Sequence, residues 1–164
     1  MAMETENLII RKANESDVEF LAEISTNEKV QKYTGGVIDS YENTLDHINR
    51  HPENIDGFHI IELKGNRERI GIVSFVPNNY MNEEEILISI MPTYWGNEYG
   101  PETLSVFKGL WLESNNIKHM FATVKPGNTA SISMLMKEGF VFVEVYEDPF
   151  QGSQSLYKYE RSYT

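Results

Sequence analysis

The feature that most constrains this chain is the run from Ile86 to Val124. Ile86-Leu-Ile-Ser-Ile-Met91 is short, apolar and rich in β-branched residues, as a buried strand should be. Pro92-Thr-Tyr-Trp-Gly-Asn-Glu-Tyr-Gly-Pro101 then breaks the pattern with glycines and prolines. Leu104, Phe107 and Leu110 or Trp111 fall at helical spacing from Pro101 to about Glu113, and Pro101 suits a first helical position. Asn115-Asn116 ends that helix, and Ile117 to Val124 reads as the next strand. Two strands joined through a helix lie parallel in one sheet, with a right-handed crossover. The turn also has a chemical consequence. The first N–H groups of a helix lack internal partners, its dipole favours negative charge there, and glycine permits φ > 0 and close approach to the backbone. Trp95 to Pro101 therefore reads as a cradle for a phosphate-bearing ligand.

The flanking sequence supplies the rest of a sheet. Leu8 to Arg11 is a first strand, followed by a capping-box pattern in Asn14-Glu-Ser-Asp17 and a helical stripe of Val18, Leu21, Ala22 and Ile24. Thr34-Gly-Gly36 breaks the pattern. Asp39 or Ser40 caps a second helix through Tyr41, Leu45 and Ile48, which Pro52 stops. Phe58 to Leu63 and Arg69 to Phe75 form a hairpin, with Gly65-Asn66 suited to a tight turn. Asn78 to Glu85 reads as a polar connection. Pro126-Gly-Asn128 opens a further helix with Ile132, Leu135 and Met136 on its apolar side and Gly139 as its C-terminal cap. Strands at Phe140 to Tyr146 and Leu156 to Glu160 flank a turn over Asp148 to Ser153. With no repeat or linker, residues 1–164 read as a single α+β domain.

Composition excludes several classes. A net charge of −11 argues against nucleic acid, whose affinity comes from Lys and Arg on phosphates. It suits a cationic small substrate, or solubility alone. No cysteine means no thiolate nucleophile and no cysteine-ligated zinc. The absence of an apolar run of about 20 residues and of a signal peptide points to a cytoplasmic protein without a membrane partner. His47 and His51 have the spacing of a metal pair, but Ile48-Asn49-Arg50 lacks the glutamate of zinc proteases, so no metal is expected. His59 and His119 are lone histidines within strands, and Tyr157 and Tyr159 share one strand face as sheet-packing residues do.

Two segments together resemble the GNAT family of acyl-CoA-dependent N-acetyltransferases, in the branch of ribosomal-protein N-terminal and polyamine acetyltransferases. The first is Pro92, Tyr94, Trp95, Gly96, Glu98, Tyr99, Gly100, Glu102 and Thr103, against a family pattern Pro-x-Tyr-Trp-Gly-x-Gly-Tyr-Ala-x-Glu-Ala. The second is Asn128 and Ser131, followed by Gly139-Phe140. The resemblance implies a GNAT-like fold, a mixed central sheet with helices on both faces and a gap between the crossover strands. It implies acetyl-CoA as co-substrate, with Ile88, Ser89 and Ile90 along the pantetheine arm. Trp95, Gly96, Asn97, Glu98, Tyr99 and Gly100 would meet the pyrophosphate, and Asn128 and Ser131 would face the cofactor from the other side. It implies direct transfer of the acetyl group to a primary amine: a protein N-terminus, a polyamine or another small amine. A cationic acceptor and a homodimer are compatible with it. The loops around Gly35-Gly36, Asn78–Glu83 and Asp148–Gly152 would shape the acceptor pocket.

Three positions depart from the family pattern. Glu98 replaces its central glycine; a carboxylate ~5 Å from a phosphate costs about 3 kcal/mol at an effective dielectric of 20, and non-glycine residues resist φ > 0. Pro101 offers no N–H. Leu135 stands where many relatives carry a tyrosine that protonates the thiolate, which leaves Ser131 to hydrogen-bond the sulfur or merely to serve the helix turn. For the base, Glu84 and Glu85 point to opposite faces of a strand, so at most one reaches the cleft; Glu62 is a weaker candidate, and ordered water is the alternative. These departures also motivate a second reading, a weakened GNAT-fold domain that binds acyl-CoA or a protein partner without efficient turnover.

Overall fold

The computed structural model describes residues 2–34 and 39–161, so the expected break at Gly35-Gly36 lies outside the described residues. Eight strands form one sheet: β1 (Met3–Glu4), β2 (Leu8–Lys12), β3 (Phe58–Leu63), β4 (Arg69–Asn78), β5 (Glu83–Ile90), β6 (His119–Val124), β7 (Val141–Asp148) and β8 (Gly152–Glu160). Their order is β1-β2-β3-β4-β5-β6-β8-β7, and β5–β6 is the parallel pair. Among the described residues, five α-helices cover it: α1 (Val18–Ser25), α2 (Glu28–Thr34), α3 (Tyr41–Arg50), α4 (Tyr99–Ser114) and α5 (Thr129–Lys137). This is the expected α+β architecture with helices on both faces.

Strand alternation explains the two layers. In β3, the consecutive residues Ile60 and Ile61 are both fully buried. Ile61 packs with Leu8, Val73, Leu104 and Phe107 beneath α4, whereas Ile60 packs with Ile72, Leu21 and Ile24 beneath α1. A strand covered on both sides needs an unbroken apolar run, not an alternating one. Helix α5 ends as its sequence requires. Gly139 takes φ +87°, its N–H donates to Met136 C=O at 3.1 Å, and Phe140 N–H donates to Leu135 C=O at 2.9 Å. That is a Schellman cap, and its flanking pair Leu135 and Phe140 is buried.

Several boundaries differ from the sequence reading. Strand β1 and helix α2 were not expected from the local pattern; β1 has two residues and α2 seven, too short for periodicity to register. The β3–β4 turn is wider than a two-residue hairpin, with Arg67 rather than Gly65 or Asn66 at positive φ (62°). Half of the supposed polar connection 78–85 belongs to strands, since β4 runs to Asn78 and β5 starts at Glu83. Helix α4 begins at Tyr99, so Pro101 is its third residue rather than its first, still within the turn that needs no internal N–H bond. Strand β8 likewise starts at Gly152. At the sheet edge, β7 leaves Val141, Phe142 and Val145 exposed.

The Asn14 capping box forms, but its acid does more than cap. Asp17 is fully buried and accepts from Asn14 N–H at 2.8 Å, from both terminal nitrogens of Arg11 at 2.8 Å and from Arg69 Nε at 2.7 Å. Arg11 Nε continues to Glu62 at 2.9 Å, and Glu62 also takes Arg67 Nε at 2.7 Å. Burial pushes the Asp17 carboxyl upward, yet the hydrogen bonds from Arg11, Asn14 and Arg69 outweigh it and hold it at about 2.

Gly71 on β4 marks the tightest contact with β5. A Cβ there would lie 2.4 Å from Ser89 O and 2.8 Å from Ile90 Cδ1. Main chain cannot yield as a flexible side chain does. Gly71→Ala is therefore expected to lose about 2 kcal/mol of stability, read as a lower urea midpoint, and to displace the end of β5.

Candidate active site

The β5–β6 pair is joined at one register position, Glu85 opposite Phe121. Beyond it the strands diverge. Met91 N–H donates to Ile70 C=O at 2.8 Å, and the β4–β5 register is continuous from Asn78/Glu83 to Gly71/Ile90. Ladder alternation then turns the main chain of Leu87 and Ser89 toward β4, and that of Ile88 and Ile90 toward the gap. Ile88 is the first residue past the junction to do so. The indole N–H of Trp95 donates to Ile90 C=O at 2.7 Å, folding the following turn back against the strand end.

The gap opens into a cleft of about 900 Å³ that also takes in the start of α4 and the first turns of α5. At its α4 end, Trp95 N–H is already bonded to Pro92 C=O at 3.1 Å, and the first helical bond is Glu102 N–H to Glu98 C=O at 3.1 Å. Gly96, Asn97, Glu98, Tyr99 and Gly100 lie between them, and their N–H groups have no main-chain acceptor among the described residues. Gly96 takes φ +86° and Glu98 φ +65°. Glu98 thus occupies the left-handed conformation that the family's glycine would adopt without strain. Its side chain is exposed. Gly100 faces α5, and a Cβ there would be in ordinary contact with Met134 Sδ at 3.4 Å. The same two helices are clamped further along, where Lys108 Nζ donates to Glu138 C=O at 2.6 Å and lies 4.2 Å from the Tyr159 ring centre.

The candidate residues separate by position. Ile88, Ser89, Ile90, Trp95, Gly96, Glu98, Tyr99, Gly100, Asn128, Ser131 and Glu85 line the cleft. Asn97 and Glu84 do not; the Asn97 amide instead donates to Tyr94 C=O at 3.0 Å, and Glu84 is exposed. The Asn128 side chain accepts from Ser131 N–H at 3.4 Å and so caps α5 at the cleft wall. Leu135 is buried in the core and contributes an apolar surface where a phenol is absent. Glu62 belongs to the arginine network, and the rings of His47 and His51 meet at a tilt of 47° outside the cleft. Tyr157 is buried in the core and Tyr159 packs against Phe140, as sheet-packing residues do.

Glu85 sits beside the junction of the two strands in a setting that sequence spacing did not reveal. One oxygen accepts from Asn78 Nδ2 at 2.6 Å, and the other accepts from Thr123 Oγ1 at 2.8 Å. Asn78 Nδ2 also donates to Tyr146 Oη at 2.9 Å, and Tyr80 stacks on Tyr146 at 4.1 Å. Burial pushes the Glu85 carboxyl above its usual range, against the bonds from Asn78 and Thr123 that favour the charged form. The one hint in the sequence was the polar pair Asn78 and Thr123 amid apolar strands. Tyr94 also lines the cleft, but its hydrogen bond to Glu68 pushes the phenol up to about 12 and makes it a poor acid.

A family model described as acetyltransferase (GNAT) domain matches residues 7–141. The uncharacterized N-acetyltransferase YoaA of Bacillus subtilis is 26% identical over 144 residues, covering 84% of this chain and 81% of the relative. Among solved structures, a GNAT-family acetyltransferase from Bacillus anthracis superposes with a TM-score of 0.81 at 21% identity, covering 98% of both chains. The spermidine N-acetyltransferase from Vibrio cholerae, solved with CoA and spermine, gives 0.79 at 16% identity, covering 95% of this chain and 96% of that one. A family match over that much of the sequence, on a sheet split at the same kind of crossover that the motif anticipates, makes the chain a member of the GNAT family and an acetyltransferase.

Proposed function

We propose that the protein transfers an acetyl group from acetyl-CoA to a primary amine by direct attack within a ternary complex. The observation that carries this reading is the single-bridge β5–β6 junction leading to five amides without a main-chain acceptor at the start of α4. Such amides at a helix N-terminus suit a pyrophosphate, and the gap-facing main chain of Ile88, with the N–H of Ile90, suits the amides of a pantetheine arm. A bound acetyl thioester supplies the acyl group: the new C–N bond forms as the C–S bond breaks, one amine proton leaves, and the thiolate takes a proton. Glu85 is the residue placed to receive the amine proton, because burial makes it a better base than an exposed carboxylate. Ile88 N–H, first past the junction, is the donor for the developing oxyanion. Ser131 hydrogen-bonds the sulfur. A cytoplasmic location fits a chain without cysteine, in which no helix of the described residues is long and apolar enough to cross a membrane.

Calorimetry with acetyl-CoA tests this directly. Saturable binding in the micromolar range is expected, and no heat at millimolar ligand would overturn it. One observation favours a second reading, a GNAT domain with weakened cofactor binding: Glu98 holds φ +65° at the mouth of the anion cradle. Glu98→Gly removes both the left-handed strain and the carboxylate. It is expected to add about 1 kcal/mol of stability and to tighten acetyl-CoA binding about tenfold, less than an unscreened charge at ~5 Å would give. Unchanged affinity and turnover would remove the support for that second reading.

A further inference from the structure

Resting on the acetyl-transfer reading, we infer that the acceptor carries a single ammonium on an uncharged, largely apolar body, and is not a polyamine. The inference comes from where the chain's charge is not. Of 25 acidic residues in the sequence, the two that line the cleft are Glu85 and Glu98. Glu98 belongs to the α4 end, with the anion cradle. That leaves Glu85 as the carboxylate at the acceptor end among the described residues.

The sheet register puts Glu85 on one face with Ile72 and Val76, and the other groups that line this end come from α1, α2, β3, β8 and the β7–β8 turn. The polar ones nearest in kind to a carboxylate are carboxamides: Gln31 of α2, Gln151 of the β7–β8 turn and Gln154 of β8. The apolar ones include Ile24, Val30 and Phe58, from α1, α2 and β3. Asp148, at the end of β7, is near enough for its charge to act on Glu85, but it does not line the cleft, and its Oδ1 accepts from Phe150 N–H at 2.8 Å and Gln151 N–H at 2.9 Å. Gly35, Gly36, Val37 and Ile38, outside the described residues, add no charge by their identity. Asp17 and Glu62 are buried in the arginine network, and apart from Glu85 itself the acidity of the described residues does not extend into the wall of the acceptor end.

An ammonium entering this end meets one carboxylate in the cleft wall, Glu85, held by Asn78 and Thr123. A second or third ammonium on the same molecule would leave water for carboxamides and apolar side chains without a counter-ion, which is unfavourable. An alkyl or aryl body would displace water from Ile24, Val30 and Phe58. The same chemistry could be offered by a free monoamine or by a peptide whose first residues are apolar.

The test is acetyl-CoA turnover, read as released thiol, with hexylamine and 2-phenylethylamine, with a peptide beginning Ala-Val-Leu, and with spermidine. Acetyl-CoA binding is measured in parallel by calorimetry. A kcat/KM for the monoamines or the apolar peptide at least about tenfold above that for spermidine is expected, the scale on which an unmatched polar group is rejected. Whichever of those two arms leads identifies the source of the amine. Gln151→Glu, which adds a second carboxylate to this end, is expected to raise the spermidine-to-hexylamine ratio about fivefold or more. Preference for spermidine, or no turnover of any monoamine or peptide while acetyl-CoA binds, overturns this inference and leaves cofactor binding standing. Failure of acetyl-CoA to bind overturns the acetyl-transfer reading and this inference together.

Discussion

Asp17→Asn is expected to destabilise the protein by about 3 kcal/mol, the low end of the cost of breaking a buried ion pair, because Arg11 and Arg69 keep part of their surface in water. The fully buried Asp17 is the group where Arg11 and Arg69 converge, so an amide leaves Arg69 without its acid and Arg11 with Glu62 alone. The wild-type pH dependence follows from the same carboxylate. Its folded pKa of about 2 lies below the ordinary value of 3.8, so its contribution is complete above pH 4 and is lost as pH falls toward 2. That shift corresponds to about 2 kcal/mol. Urea unfolding between pH 2 and pH 5 checks both points: the wild-type midpoint should fall steeply toward pH 2, and Asp17→Asn should start lower and fall less. Parallel curves for the two proteins would show that Asp17 does not carry the effect.

Glu85→Gln is expected to lower kcat/KM for amine acetylation about a hundredfold or more, the typical contribution of a positioned general base. Because the side chains are nearly isosteric and burial opposes the Glu85 charge, stability should change by no more than about 1 kcal/mol. Acetyl-CoA affinity should be unchanged, since Glu85 faces the acceptor side. The pH profile makes the distinction from a packing role. Wild-type kcat/KM should rise with pH through an apparent pKa above the usual glutamate value, and that limb should vanish in Glu85→Gln. A variant that keeps both rate and limb would return the proton to ordered water.

The fold was largely legible because its strongest signals are local. The apolar run of β5, the glycine-bearing turn and the α4 stripe lie within one stretch of sequence and specify a crossover before any tertiary contact is known. Gly139 likewise announced its Schellman cap. What could not be read depends on distance in space. Glu85 could not be told from Glu84 by strand alternation, and only the approach of Asn78, Thr123 and Tyr146 from other strands distinguishes it. Asp17 read as an imperfect capping-box acid because Arg69 is 52 residues away. The net negative charge suggested a cationic partner, yet a total says nothing about which side chains face a cleft.

The one-position bridge between β5 and β6 divides the sheet into two plates that share a rivet. A full ladder would transmit load from one plate to the other along its whole length; here the load path detours through α4 and α5, pinned by Lys108 on the Glu138 carbonyl just past α5 and by the contact of Gly100 with Met134. The width of the slot is therefore a property of two helices, and the sheet that frames it supplies the edges but not the spacing.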